Sequence, residues 1–127
     1  MKLGALPSFC QPLLDKLKTL LAHTPDQLII NEYEPGQGIS HHMDKTNFFK
    51  DGIVSLSLSS DCTMEFKNRT TKEIKLVRLE RRSVVILTGE SRYSWTHAIP
   101  ARKTDKINGK SVPRTRRVSM TFRKIIE

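Results

Sequence analysis

The sequence predicts a mainly β domain, built as a sandwich or a barrel, with one short helix near its amino end. Short segments of β character fill the chain after residue 25, and turn signals such as Pro35-Gly36 and Asn108-Gly109 lie between them. Only one segment has helical spacing. Strands this short and closely spaced fit a sandwich or barrel better than βαβ units.

The helix is predicted from a set of leucines that follows Pro12, a residue that suits a first helical turn. The apolar pattern stops before Pro25, so one short amphipathic helix is expected. The leucines at helical spacing are Leu13, Leu14, Leu17, Leu20 and Leu21.

Seven later segments combine β-branched or aromatic residues with the alternation of a strand. They are residues 28–33, 52–59, 63–68, 73–79, 83–89, 93–99 and 117–125.

Length and composition narrow the class of protein. The chain has 127 residues, enough for one domain spanning residues 1–127, and its 22 Lys and Arg against 13 Asp and Glu give a net charge of +9. That charge favours polyanionic partners, although a solvated basic surface is the simpler explanation. Cys10 and Cys62 suggest neither a disulfide framework nor a structural zinc site. Without a signal sequence or a membrane-spanning stretch, a cytoplasmic or nuclear protein with no membrane partner is expected.

Most of the positive charge of the carboxyl-terminal third lies between residues 102 and 117, where seven residues are basic and one is acidic. The segment is predicted to be irregular. A solvated loop is favoured over a nucleic-acid contact on sequence alone.

The stretch GISHHMDKTN, residues 38–47, contains the first chemical signal. In an extended segment His42 and Asp44 project to one side and His41 to the other. One imidazole and one carboxylate are two of the three ligands of the facial triad that binds non-haem Fe(II). By elimination among four histidines, His97 is expected to be the third. A His-x-Asp pair by itself is more often a surface turn.

The segment RVSMTFR adds a second signal. Its alternation predicts one buried face and one face with Arg117 and Arg123 at its ends, about 20 Å apart. Long arginine side chains could converge on a short dicarboxylate between them. Asn31 and Tyr33 share a strand face and could complete such a carboxylate site. An ordinary edge strand and core packing of Tyr33 are the alternatives.

The words NEYEPGQGISHHMD, GESRYSWTHAI and RRVSMTFRK, in this order, resemble the AlkB family of Fe(II)- and 2-oxoglutarate-dependent dioxygenases. The resemblance runs from about Pro25 to Lys124 and is nearest to the branch that hydroxylates a modified wobble uridine of tRNA. It implies a double-stranded β-helix, or jelly roll, with Fe(II) inside and with 2-oxoglutarate as cosubstrate beside O₂.

The resemblance also implies roles for single residues. His42, Asp44 and His97 would be the catalytic iron ligands, and Arg117 would pair with the far carboxylate of 2-oxoglutarate with help from Tyr33. Asn31 and Arg123 would lie near its keto-acid end. The family commonly has asparagine where this chain has Ser119, which would remove one hydrogen bond at most.

The expected function is therefore oxidation of nucleic acid: hydroxylation of a modified tRNA wobble uridine, or removal of alkyl groups from nucleobases. Family members usually carry a longer region before the Asn-x-Tyr strand, so a partner subunit could supply a lid over the substrate. A non-catalytic binding module and a protein hydroxylase are the alternatives. Basic residues expected to contact phosphates are Lys45, Arg102, Lys103, Lys106, Lys110, Arg114 and Arg116.

Overall fold

The computed structural model of the chain describes residues 6–126, which contain two four-stranded antiparallel sheets facing each other as a jelly roll. The first sheet has the order β1-β10-β3-β6, the second has the order β2-β7-β4-β5, and β8 and β9 form a separate hairpin. The strands are β1 (Gln27–Tyr33), β2 (Ile39–His42), β3 (Ile53–Leu58), β4 (Cys62–Asn68), β5 (Ile74–Leu79), β6 (Val84–Leu87), β7 (Trp95–Ile99), β8 (Thr104–Ile107), β9 (Lys110–Pro113) and β10 (Arg117–Arg123).

Strand alternation separates two apolar clusters. Inside the roll, the two sheets pack against each other through buried residues such as Ile53, Met64 and Ile99. On the outer face of the first sheet, Val54 and Phe122 pack beneath the helix, and both have no exposed surface. The first sheet is therefore apolar on its helix side, while its inner side combines apolar residues such as Ile53 with polar residues such as Ser55 and Ser119.

The predicted helix is present as α1 (Gln11–Leu17), with Pro12 in its first turn and a 3₁₀ turn (Ser8–Cys10) before it. The helix ends at Leu17, before the last leucines of the predicted pattern. The Leu20 and Leu21 amides both donate to the Leu17 carbonyl, at 2.9 and 3.0 Å, in the turn that follows, and Leu20 is 64% exposed.

The prediction that residues 102–117 are irregular is also wrong, because they contain the β8–β9 hairpin. Asn108 (φ 51°) and Gly109 (φ 80°) form its two-residue turn, where both residues need the left-handed region. Asp105 is 1% exposed and accepts hydrogen bonds from Arg114 at 2.8 and 2.9 Å. Basic residues thus surround a buried carboxylate in this segment.

Two elements near the chemistry were not predicted. The sequence indicates an extended segment around His42 but predicts no strand there, whereas the structure has strand β2. A short helix, α2 (Gly89–Tyr93), separates β6 from β7, so the strands predicted at 83–89 and 93–99 are shorter than expected. Thr88 and Ser91 form a reciprocal capping box at its start.

Within residues 6–126, no helix combines the length and the apolar character needed to span a membrane.

Candidate metal centre and cosubstrate cavity

A β-bulge in β2 decides which of the two adjacent histidines faces the interior. Ile39 pairs with Ile99 of β7, so an unbroken register would put residue 41 opposite His97. One extra residue in β2 instead brings His42 opposite His97. The two imidazole centroids lie 4.4 Å apart at the centre of the roll.

His42, Asp44 and His97 form a cluster whose possible ligand atoms all lie within 4.8 Å of one another. The Nε2 atom of His42 lies 4.0 Å from Oδ1 of Asp44. Two imidazoles and one carboxylate are the donor set of the facial triad, so the cluster suits Fe(II) and leaves positions open for other ligands.

The surroundings of the cluster hold its donors in a form that binds metal. His42 Nδ1 donates to the Ser40 carbonyl at 2.8 Å, which leaves Nε2 as the ring nitrogen on the side of Asp44. Burial, and next the charge of neighbouring His42, lower the pKa of His97 to about 4. The His97 ring is therefore neutral at neutral pH and can act as a metal ligand.

His41 lies on the other face of the second sheet, as alternation from His42 predicts. Its Nε2 is 2.6 Å from a Glu65 carboxylate oxygen and its Nδ1 is 3.0 Å from the Thr96 hydroxyl. These contacts occupy both ring nitrogens away from the cluster.

A cavity of about 250 Å³ extends from this cluster between the two sheets. Arg117 lines it at the Tyr33 end and is 5% exposed, with its Nη2 donating to the Ser57 hydroxyl at 2.9 Å. Its guanidinium carbon lies 5.5 Å from the Tyr33 ring centroid. Within residues 6–126 its Nε has no hydrogen-bond partner, and the guanidinium forms no ion pair. A buried cation in this condition fits an anionic ligand in the cavity.

The other end of the cavity lies beside the metal cluster. Arg123 Nη1 is 3.8 Å from Asp44 Oδ2, and its Nε donates to the Gln27 side chain at 2.8 Å. Asn31 lines the cavity between the two arginines, as does Ser119, which is 4% exposed. The predicted inner face of β10 is thus present, with Arg117 and Arg123 at opposite ends of one cavity.

A second, more open pocket of about 440 Å³ adjoins the first and shares His42, Asp44 and Arg123 with it. Its outer wall is the segment that follows Asp44, including Lys45 and Phe48, which is 50% exposed. The Lys45 ammonium lies 5.2 Å from the Phe48 ring centroid. This outer pocket therefore borders His42 and Asp44 without including Arg117 in its lining.

Two contributors to the site were not predicted. Ser57 hydrogen-bonds Arg117, and the alternation of serines in IVSLSLSS could have indicated a polar inner face. Arg92 is 2% exposed and donates to backbone carbonyls of the segment after His42. Nothing in the local sequence indicates that this arginine is buried.

The basic residues expected to contact phosphates fall into two groups. Arg114 is buried and paired with Asp105, Arg102 pairs with the same carboxylate, and Arg116 pairs with Glu32 at 3.0 Å. The expectation for Arg114 is therefore wrong, because its guanidinium is committed to an interior ion pair. Arg102 and Arg116 are exposed but ion-paired, whereas Lys45, Lys103, Lys106 and Lys110 are exposed and form no ion pair among the described residues.

Comparison with known proteins agrees with this geometry. The model of the 2OG-Fe(II) oxygenase superfamily matches residues 2–123. Uncharacterized protein L905 of Acanthamoeba polyphaga mimivirus is 41% identical over 125 residues, covering 96% of this chain and 60% of that protein. The tRNA (carboxymethyluridine(34)-5-O)-methyltransferase alkbh8 of Xenopus tropicalis is 44% identical over 140 residues, covering 96% of this chain and 22% of that protein.

The fold has a counterpart among solved structures. The structure of OsALKBH1 superimposes with a TM-score of 0.67 at 22% identity, covering 94% of this chain and 64% of that chain. The chain spans between about a fifth and three fifths of the length of the curated relatives named above.

Proposed function

The chain belongs to the 2OG-Fe(II) oxygenase superfamily, and from this premise we propose that it is a dioxygenase in which His42, Asp44 and His97 hold Fe(II). The observation that carries the proposal is that the three possible ligands and the unpaired Arg117 line one cavity. We further infer that one domain, residues 1–127, carries this site.

We assign the cavity to 2-oxoglutarate. Arg117 and Tyr33 bind the far carboxylate, while Asn31 and Arg123 orient the keto-acid end beside Asp44. Apolar side chains such as Ile53, Leu87 and Ile99 line the same space and exclude water, which strengthens the pairing of Arg117 with a carboxylate. When bound, the iron would activate O₂ as the oxidant, and oxidative decarboxylation of 2-oxoglutarate would supply two of the electrons that reduce it, so that one oxygen atom enters succinate, the other enters the substrate, and carbon dioxide is released.

The outer pocket is the site we assign to the substrate, since it borders His42 and Asp44 of the metal cluster and has the half-exposed Phe48 in its wall. An aromatic ring beside a lysine can stack on a nucleobase and attract a phosphate. Together with the name of the Xenopus relative, this supports tRNA with a modified wobble uridine as substrate. A lid from a partner subunit stays a prediction.

The metal assignment is tested by anaerobic titration with Fe(II) and 2-oxoglutarate, followed by succinate formation in air. His42→Ala and Asp44→Ala should abolish both the metal-to-ligand charge-transfer band and succinate. His41→Ala is the matched control, because His41 faces Glu65 and Thr96 on the other side of the sheet. Equal loss in the control would contradict the assignment.

The substrate assignment is tested with the wild-type protein on tRNA anticodon stem-loops that carry either uridine or a 5-carboxymethylated uridine at the wobble position. A methylated-base RNA and an unrelated protein serve as the other arms. We expect the carboxymethylated stem-loop to accelerate succinate formation and to gain one oxygen. Acceleration only by the methylated RNA would favour dealkylation, and acceleration only by protein would refute the nucleic-acid assignment.

A further inference from the structure

The side chain of Arg92 connects two segments that carry proposed iron ligands. Arg92 belongs to α2, which is followed directly by β7 with His97. Its Nη1 donates to the Asp44 carbonyl at 2.7 Å, and its Nη2 lies 3.2 Å from the Lys45 carbonyl and 3.4 Å from that of Phe49. The guanidinium thus joins the start of one ligand-bearing strand to the loop that carries the other ligand.

The Arg92 guanidinium holds this loop although it is a buried charge. It is 2% exposed and is the largest fully buried side chain among the described residues. Within residues 6–126 it forms no ion pair, and its buried Nε has no hydrogen-bond partner. A buried charge satisfied by carbonyl dipoles and by the Tyr93 ring, whose centroid is 4.9 Å from the guanidinium carbon, is still costly, and an apolar residue would fill the space at a lower free-energy cost. The arrangement is therefore better explained by the residues whose carbonyls it holds, which are Asp44, Lys45 and Phe49.

The same loop is attached to α2 at its other end. The Asp51 carboxylate accepts from the Gly89 amide at 3.1 and 3.2 Å, so both ends of residues 44–51 are held by one short helix. Between these attachments the loop supplies Lys45, Phe48 and Phe49 to the outer pocket. The position of α2 therefore fixes the Asp44 main chain and one wall of the substrate pocket together.

We propose that Arg92 is a positioning residue that sets Asp44 relative to His97 and thereby tunes the iron site. The proposal rests on the assignment of Asp44 as an iron ligand. Partners that orient a metal ligand typically contribute 10–100-fold to metal affinity or activity. Arginine is suited to this role because one rigid fork reaches several carbonyls, whereas a lysine ammonium is a single point of donation.

The test compares Arg92→Lys and Arg92→Met with Arg69→Lys and Arg69→Met. Arg69 is the matched control: it also donates to a backbone carbonyl of α2, that of Tyr93 at 3.1 Å, but it is exposed and does not contact the loop. Anaerobic Fe(II) affinity and the absorption spectrum of the Co(II)-substituted protein are measured on folded samples, with thermal unfolding of the metal-free proteins in parallel.

We expect both Arg92 variants to lose roughly 10–100-fold in Fe(II) affinity and to show an altered Co(II) spectrum. The Arg69 variants should match the wild type. Unchanged affinity and spectrum in the Arg92 variants, or a failure of both variants to fold, would overturn the proposal and assign Arg92 to stability. If Asp44→Ala binds Fe(II) with the affinity of the wild type, the proposed function fails instead. This measurement separates the two failures.

Discussion

Replacing Arg117 with lysine should weaken the use of 2-oxoglutarate far more than it weakens iron binding. The guanidinium is 5% exposed, its Nη2 is held by Ser57, and its Nε is free to donate, so two N–H groups can be aligned on one carboxylate. Lysine keeps the charge but provides one donor at that distance. The loss is one charge-assisted hydrogen bond, about 1.5–3 kcal/mol, which corresponds to roughly a 10- to 150-fold higher KM for 2-oxoglutarate.

The assay is succinate formation over a range of 2-oxoglutarate concentrations, with Fe(II) affinity measured separately without cosubstrate. Arg116→Lys is the matched control, since Arg116 precedes Arg117 in the chain but is exposed and pairs with Glu32 on the surface. A KM for 2-oxoglutarate that changes no more in Arg117→Lys than in the control would refute the assignment of the cavity. A parallel loss of iron affinity would indicate a wider disruption of the site.

Three further predictions follow from other features. Asp105→Asn should lower the free energy of unfolding by about 3–5 kcal/mol in urea denaturation, because it leaves Arg114 charged and buried; a loss below about 1 kcal/mol would contradict this. Although burial raises the pKa of Asp105, hydrogen bonds from Arg114 and Arg102 bring it down from 3.8 to about 2, so this stabilisation is present above the unfolded value and is lost as pH falls toward 2. Gly38→Ala should reduce Fe(II) affinity, because the new Cβ would meet the Ile99 carbonyl and lie 2.8 Å from the Ala101 nitrogen, displacing β2; normal affinity would show that β2 can shift. Neutralising Lys103, Lys106 and Lys110 together should weaken RNA binding for all sequences and flatten its salt dependence, while an unchanged salt slope would remove the hairpin from the interface.

Much of the fold could be predicted because alternation and burial act locally. The inner face of β10, with Arg117 and Arg123 at its ends, follows from a period of two residues that the sheet preserves. The boundaries of β6 and β7 could not be predicted, since the capping box at Thr88 inserts α2 between segments with strand composition. The β8–β9 hairpin could not be predicted, because its charged composition is typical of a solvated loop. The burial of Asp105 depends on Arg114 and Arg78, which belong to other elements.

In the candidate site, too, some features follow from local spacing and others depend on contacts between distant segments. The pairing of His42 with Asp44 follows from their spacing, whereas the partnership with His97 depends on a register between β2 and β7 that no local pattern specifies. Ser57 and Arg92 act through contacts 60 and 48 residues away in the chain. The serine alternation around Ser57 indicates a polar face but not its partner Arg117, and the sequence around Arg92 indicates neither its burial nor its partners.

The bulge in β2 determines which of the two adjacent histidines lies opposite His97. Removing one residue between Ile39 and His42 would restore an unbroken register and would still leave His42 opposite His97, with Asp44 on its present face. If the strand lost the bulge but kept all its residues, His41 would lie opposite His97, and Asp44 would project to the other face. A deletion at this point therefore preserves the set of ligands, whereas straightening the strand without a deletion exchanges His42 for His41.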